Sequence, residues 1–424
     1  MKTLNKISTK QYLLLKTILS ALLFSFSFLF INNLGFLIIP AFILLFDIVN
    51  NNYRIGRLVL LSFFWGLIAF GLHFIWLYEL LLNKSGATLF LATGLYFFII
   101  IYSGLLTTIY FFILNKLFDI SNLIINKIIV FITVTFSFFY FIDKNYLFFL
   151  GKESGYPFLN PLIPLAKYKW FLLIYSFIFS PNQTTNKLQE KFLKENKIIY
   201  LKPLVKSYDN NYNATTMGQI IYQQLANLNL EKYLYKYKNI ILLSPETYFP
   251  YSLNKNKKIV KLWSTILPES SYFFVGSQRE KTNKQNKLKI YQTVFLLESG
   301  RIIDFYDKKH RALFAEFIPN IFKNSKWSSS LFLNGKVKFT AGCQNKTFKI
   351  TQEFTIIPKI CSEFFCRVDL NIKEDVSFLF LFVNDSWFMN YFKNMMQNLA
   401  YLISCELNLI VFYNNHKDLC VIKL

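Results

Sequence analysis

"IILLSPETYFP", residues 240–250, holds an unbroken apolar run that stops at Ser244-Pro245 and delivers a carboxylate, Glu246, immediately after it. A short apolar run bounded by proline reads as a strand buried on both faces, and proline, lacking an N–H, ends the ladder. Strands of the same kind are expected at 272–276, 293–298, 302–306, 356–361, 376–383 and 407–413. Helical spacing is read over 217–237 and over 391–404, where Phe392, Met395, Met396, Leu399 and Leu402 recur at helical intervals. Strands separated by helices, with a hairpin over 293–306 turning at Ser299-Gly300, predict a mixed α/β domain. The polar, lysine-rich stretch 277–290 is expected to be a solvated loop.

Outward from that domain the composition changes. The chain has 424 residues, enough for two domains, with 54% hydrophobic and 19% aromatic residues. The apolar excess is concentrated in residues 11–182, so 1–182 is read as a transmembrane domain and 183–424 as the α/β domain. About 20 apolar residues are needed to cross a bilayer. Candidate spans are 12–31, 35–50, 57–82, 87–115 and 123–142, the second being shortened by Pro40 and Asp47. A weaker sixth, 163–181, carries Lys167 and Lys169 at its start, and the sequence leaves open whether it crosses. Lys2, Lys6, Lys10 and Lys16, then Arg54, Arg57, Lys116 and Lys127, place the N-terminus and alternate connections in the cytoplasm. With five spans the C-terminal half lies outside; with six it lies inside. In "FWGLIAFGLHFIWLYEL", residues 64–80, Trp65, Trp76 and Tyr78 read as interfacial anchors, or with His73 and Glu79 as the wall of a lipid head-group groove. Gly66 and Gly71 read as sites of close helix contact.

The net charge of +23 comes with heavy use of Lys, Asn, Ile and Phe, the residues favoured by AT-rich codons, and no compact arginine stripe accompanies it. No nucleic-acid partner is expected. The five cysteines (Cys343, Cys361, Cys366, Cys405, Cys420) form no CxxC pair, and the histidines are only His73, His310 and His416. Neither a disulfide framework nor a metal site follows from such a set, and no cofactor is expected.

Three predicted strands end in reactive side chains. Glu246 follows 240–244, Lys308 follows 302–306 in "YDKKHRALFAEFIP", and Cys361 closes 356–361 in "KICSEFFC". Each alone reads as an exposed acid, a solvated cation or a packed thiol. Together, at strand carboxyl ends, they supply a base, a cation and a nucleophile. A thiol is mostly protonated at neutral pH, so a neighbouring carboxylate must take its proton during attack. An ammonium beside them stabilises both thiolate and oxyanion, which completes a set for acyl transfer through a thioester.

Glu246, Lys308 and Cys361 in this order resemble the Glu-Lys-Cys triad of the nitrilase superfamily. Over nearly its full length the chain is similar to that superfamily's membrane-fused branch, the apolipoprotein N-acyltransferase family. "SPETYFP" is similar to the family's Trp-Pro-Glu-(Thr/Ser)-Ala segment, and "ICSEFF" to its Ile-Cys-Tyr-Glu segment. "VNDSWF", residues 383–388, is similar to its Ser-Asn-Asp-Ala-Trp-Phe segment. The lysine segment, with Glu316 eight residues beyond Lys308, is the most specific match. Trp65-Gly66, Trp76-x-Tyr78 and "SGYPF" (154–158) also resemble family marks. Ser362 and Ala315 stand where the family has Tyr and Gly, and the family pattern continues past the position of Leu424 with more strands and a last transmembrane helix.

The resemblance implies a multipass helical membrane domain followed by an α/β nitrilase-like (αββα sandwich) domain. It implies Cys361 as nucleophile, Glu246 as base and Lys308 as oxyanion cation. Glu316 and Glu363 would position the lysine and the cysteine loop, and Trp387 would shape the acyl-accepting mouth. The implied partners are a membrane phospholipid donor and a diacylated apolipoprotein acceptor, with the chain a monomer in the bacterial inner membrane and its catalytic domain on the periplasmic face. A catalytically decayed lipid- or partner-binding relative and a membrane-anchored nitrilase-type amidase are the alternatives.

Overall fold

The computed structural model describes residues 9–51, 54–83, 87–121, 123–145, 160–179, 186–203, 213–312, 316–317, 339–350, 354–361, 363, 376–385, 389–415 and 418–422. The chain divides into two units. The first holds Met1–Phe171 and Phe388–Leu399; the second holds Leu172–Pro319, Lys336–Trp387 and Ala400–Leu424.

The first unit is helical because its sequence offers long apolar runs that satisfy every backbone group internally. Its helices are α1 (Thr9–Leu29), α2 (Ile31–Leu34), α3 (Ile38–Asn50), α4 (Ile55–His73), α5 (Ile75–Asn83), α6 (Leu89–Ile120) and α7 (Ile124–Asn145). Among the described residues four stretches are long and apolar enough to cross a membrane: Gln11–Leu29, Ile31–Asn50, Ile55–His73 and Leu89–Ile120. Pro40 does not shorten the second stretch, because it sits in the first turn of α3, where a missing N–H costs little. Asp47 is neutralised by an ion pair with Lys16 of α1. The stretch 57–82, read as one span, is two helices: the chain bends at Phe74, whose ψ of 11° leaves the α region.

Close packing of α4 on α6 depends on two glycines. A Cβ on Gly66 would lie 2.7 Å from the Gly104 Cα, and one on Gly104 would lie 2.9 Å from the Phe63 ring. Gly71 makes no such approach. Trp65 is not an interfacial anchor. It is 1% exposed, and its indole N–H donates to Ser20 Oγ at 3.0 Å, which in turn donates to the Ala41 carbonyl at 2.8 Å. Trp76 is also buried, with its ring 4.5 Å from that of Phe392. His73 is buried edge-on against Phe28.

The candidate sixth span, 163–181, contains the eleven-residue helix α8 (Lys169–Phe179). At 1.5 Å per residue it is about 16 Å long, half of the ~30 Å hydrocarbon core. Helix α9 (Asn186–Glu195) follows, then an α/β domain with two sheets. The first sheet has strands β1 (Asn196–Tyr200), β2 (Asn239–Leu243), β3 (Phe249–Ser252), β4 (Ser271–Thr282), β5 (Leu288–Glu298) and β6 (Arg301–Asp307). Their order is β1-β2-β4-β5-β6, with β3 paired to β4. The second sheet has β7 (Phe348–Lys349), β8 (Thr355–Ile360), β9 (Phe378–Phe382), β10 (Ile410–Asn414) and β11 (Leu419–Ile422), in the order β11-β10-β9-β8-β7.

Alternation along β4 explains how the domain is layered. Phe273 and Val275 face outward into a core shared with Met217, Ile221 and Leu225 of α10 (Ala214–Asn227) and with Ile259 and Trp263 of α12 (Lys257–Ser264). Phe274 faces the other way and meets the rings of Phe348, Phe380 and Phe382 on the second sheet. The two sheets therefore stack face to face.

Two expectations fail here. The helix read over 217–237 is α10 followed by the short α11 (Glu231–Leu234), separated by Asn229 with a φ of 46°. The "solvated loop" 277–290 is mostly strand: β4 and β5 stay paired from Tyr272↔Glu298 out to Thr282↔Leu288. Its charges mislead because Arg279 is held inside the sheet. Its guanidinium lies 4.5 Å from the ring centres of Tyr291 and Phe305 and forms a two-pronged ion pair with Asp307. The predicted hairpin at Ser299-Gly300 is present, with φ values of 50° and 77°.

Candidate active site

Topology brings two of the three reactive residues to one sheet edge. β2 runs parallel to β4, and β6 is antiparallel to β5, which is antiparallel to β4. β2 and β6 therefore point the same way, and Glu246 and Lys308 follow their carboxyl ends. Cys361 directly follows β8 on the facing sheet.

The Glu246 loop is drawn onto β4 by a glycine. A Cβ on Gly276 would lie 2.2 Å from the Pro245 carbonyl oxygen and 2.9 Å from the Glu246 Cα. The Gly276 N–H donates to Ser244 Oγ at 3.0 Å. Lys308 is fixed by its own backbone: its N–H donates to the Gln292 carbonyl at 2.8 Å, and its carbonyl accepts from Gly342 at 2.7 Å. Asp307, just before it, accepts from Thr293 Oγ1 at 2.7 Å as well as from Arg279.

At the centre, Lys308 Nζ donates to Glu246 Oε1 at 3.2 Å and to Glu316 Oε1 at 2.8 Å. Glu246 Oε2 accepts from the Asn384 N–H at 3.2 Å, and the Cys361 thiol lies within the electrostatic field of Glu246, Lys308 and Glu316. Glu316 Oε2 accepts from the Ala312 N–H at 2.7 Å. Lys308 is 1% exposed, Glu316 4%, Glu246 6% and Cys361 8%. The expected Glu246, Lys308, Cys361 and Glu316 thus converge in one buried cluster.

Burial and charge shape the chemistry. Desolvation pushes the Glu246 carboxyl up, Lys308 pulls it down and Glu316 pushes it up again, with a net rise. Burial would lower the Lys308 ammonium, but Glu246 and Glu316 together hold it well above the usual lysine value. Burial and then Glu246 push the Cys361 thiol well above its ordinary value, with Lys308 acting against them. The result is a thiol that gives up its proton less readily than a free one, set in the field of a carboxyl of raised proton affinity and of a lysine that keeps its charge.

Glu363 occupies the bracketing position. Its Oε1 accepts from Tyr306 Oη at 2.7 Å and from the backbone N–H groups of Lys309 and His310, and its Oε2 accepts from the Ile360 N–H at 2.9 Å. One buried carboxylate therefore clips the lysine loop to the strand that carries Cys361. Trp387 and Cys366 lie outside the described residues, as do the "SGYPF" segment and residues 313–315 and 362.

Sequence reasoning missed several participants. Cys361 and Thr247 adopt φ values of 46° and 58°. This left-handed conformation is costly for such residues and is typical of functional sites. Asn384 sits within the "VNDSWF" motif, yet its role as backbone donor to Glu246 and side-chain donor to Thr247 Oγ1 (3.2 Å) needs the fold. Tyr413 on β10 is 1% exposed, its hydroxyl has no partner among the described residues, and it lies in the electrostatic field of Asp385 and Cys361. No sequence signal marked it.

No family model matches the chain. Among solved structures, a mutant of the Nesterenkonia AN1 amidase from the nitrilase superfamily aligns with a TM-score of 0.34 and 12% identity, over 54% of this chain and 82% of that one. The glutamine-dependent NAD+ synthetase of Acinetobacter baumannii aligns with a TM-score of 0.33 and 15% identity, over 49% of this chain and 37% of that one. Two curated proteins are similar in sequence, both named apolipoprotein N-acyltransferase. That of Rhodopseudomonas palustris is 23% identical over 154 residues, and that of Bradyrhizobium diazoefficiens 24% identical over 152 residues. Each match takes in 35% of this chain and 28% of the relative's length. The resemblance carried by the motifs thus has its counterpart in aligned sequence over about a third of the chain: the chain is similar to apolipoprotein N-acyltransferases.

Proposed function

We propose that this protein transfers a fatty acyl chain from a membrane phospholipid, through a thioester on Cys361, to the N-terminal amine of a diacylglyceryl-cysteine lipoprotein. The observation that carries this reading is the single Lys308 cation held between Glu246 and Glu316 beside a buried thiol. In the first half-reaction Glu246 takes the thiol proton as Sγ attacks the ester carbonyl. The carbonyl oxygen becomes an oxyanion stabilised by Lys308. Collapse breaks the ester C–O bond, Glu246 returns the proton to the glycerol oxygen, and the lysophospholipid leaves. In the second half-reaction the amine nitrogen attacks the thioester and gives its proton to Glu246. The C–S bond breaks, and the thiolate takes that proton back. Glu316 holds the lysine and Glu363 holds the cysteine loop, and the family resemblance assigns Trp387 the shaping of the acyl-accepting mouth.

Placement in the bacterial inner membrane, with the catalytic residues on the periplasmic face, belongs to the same proposal. Lys16 pairs with Asp47, and Lys127 Nζ donates to Asn50 at 3.0 Å. The start of α1, the end of α3 and the start of α7 therefore share one end, near Arg54 and Arg57. An excess of lysine and arginine favours the cytoplasm. α7, at 22 residues, is about 33 Å long and leads away from that end.

The test is a phospholipid labelled in its acyl chain. The expected result is a hydroxylamine-sensitive label on the protein, lost in Cys361→Ala and kept in Cys405→Ala, and passed on to a diacylated peptide amine. A label indifferent to Cys361 overturns the proposal, and release of free fatty acid without transfer assigns a hydrolase instead.

A further inference from the structure

Helix α8 carries an apolar stripe that nothing in its own sequence explains as packing. Trp170, Leu173 and Ile174 are 52%, 70% and 55% exposed, and they fall at positions i, i+3 and i+4, along one side of the helix. Leu172 and Tyr175 lie on the other side and are buried. Tyr175 anchors that buried side, its hydroxyl donating to Glu406 of α13 (Asn390–Leu407). Just before the stripe stand Lys167, with its ammonium 5.3 Å from the Tyr168 ring centre, and the exposed Lys169. Leaving a side chain such as leucine or isoleucine in water forgoes about 1.5–3 kcal/mol of burial.

We infer that α8 lies in the plane of an anionic phospholipid surface, with Trp170, Leu173 and Ile174 dipped below the head groups and Lys167 and Lys169 on the phosphates. Three observations favour lipid as the occupant. The helix is too short to cross. Its exposed set pairs tryptophan with aliphatics behind basic residues, the composition of an interfacial helix. The described residues of the same chain include four stretches of membrane length, so a bilayer is at hand. Through the Tyr175–Glu406 bond, the lipid-seated helix is tied to α13, which leads directly into β10 and Tyr413. The inference does not depend on turnover at Cys361.

The experiment places a fluorescent unnatural residue at 170, 173 or 174 of the full chain, reconstituted in vesicles of phosphatidylcholine and phosphatidylglycerol. Emission is quenched with lipids brominated either near the head group or near the chain end. The expected result is quenching at all three sites, with the shallow lipid about twofold more effective than the deep one at each. Lys169→Glu is expected to weaken the shallow quenching only when phosphatidylglycerol is present. No quenching at any site overturns the inference in favour of water, or of a second protein chain if a photo-crosslinker at 173 captures one. Quenching that deepens steadily from 170 to 174 overturns it in favour of a span.

Discussion

Lys308 Nζ stands 2.8 Å from Glu316 Oε1, closer than the 3.2 Å that separates it from Glu246 Oε1. The ammonium is thus moored to the carboxylate that takes no part in the proposed proton transfers. A second mooring matters because a lysine paired to Glu246 alone would depress that group's proton affinity. Glu316 counters this by raising it.

Glu316→Gln removes that counterweight. The expected outcome is a thioester-forming rate lowered by about ten- to a hundredfold, within the range general-base catalysis supplies. Single-turnover acylation measures it, and an unchanged circular dichroism spectrum separates it from misfolding.

Alkylation of Cys361 by a small uncharged reagent should report the thiol's field. Because burial and Glu246 raise its pKa, the wild-type labelling midpoint is expected above the ordinary thiol value of about 8.5. Glu246→Gln removes a raising charge while Lys308 still lowers the pKa, so its midpoint should move to lower pH even as acyl transfer fails. The sign for stability follows. Above pH about 8.5 an unfolded thiol loses its proton while the native one keeps it, so stability falls as pH rises. Cys361→Ala should flatten that slope in denaturant titrations from neutral to alkaline pH.

Glu363→Ala deletes the acceptor for the Ile360, Lys309 and His310 N–H groups and for the Tyr306 hydroxyl at once. Hydrogen bonds to a buried charge are worth about 1.5–3 kcal/mol each, with strong overlap within one site, so a loss on the order of 3 kcal/mol is expected in denaturant melts. Glu363→Gln should recover part of it.

Gly276→Ala would force the Pro245–Glu246 loop off β4, since the new methyl would sit 2.2 Å from a carbonyl oxygen. At least a tenfold drop in acylation is expected with only partial loss of stability. Gly94→Ala, on α6 with nothing within 4 Å of the new methyl, is the control; it should leave activity intact and stabilise by about 0.5–1 kcal/mol.

The sequence by itself determined a good deal. Apolar runs such as 240–243 and 378–382 became central strands because no other arrangement buries them on both faces. Long apolar runs such as 89–120 became membrane-length helices because a helix satisfies its backbone groups within itself. It also offered Glu246, Lys308 and Cys361 as candidates, because chemical type and order along the chain are local facts; Glu316 and Glu363 were candidates only through the family resemblance. Tertiary structure decided what local pattern cannot encode. Arg279 looked solvated until Asp307, Tyr291 and Phe305 closed around it, which turned a presumed loop into paired strand. Trp65 looked like an anchor until Ser20, 45 positions away, took its N–H. The left-handed backbone at Cys361 and the backbone donor at Asn384 exist only where separate strands meet. Pairing energies belong to neighbours in space, and those neighbours are set by the stacking of two sheets rather than by sequence adjacency.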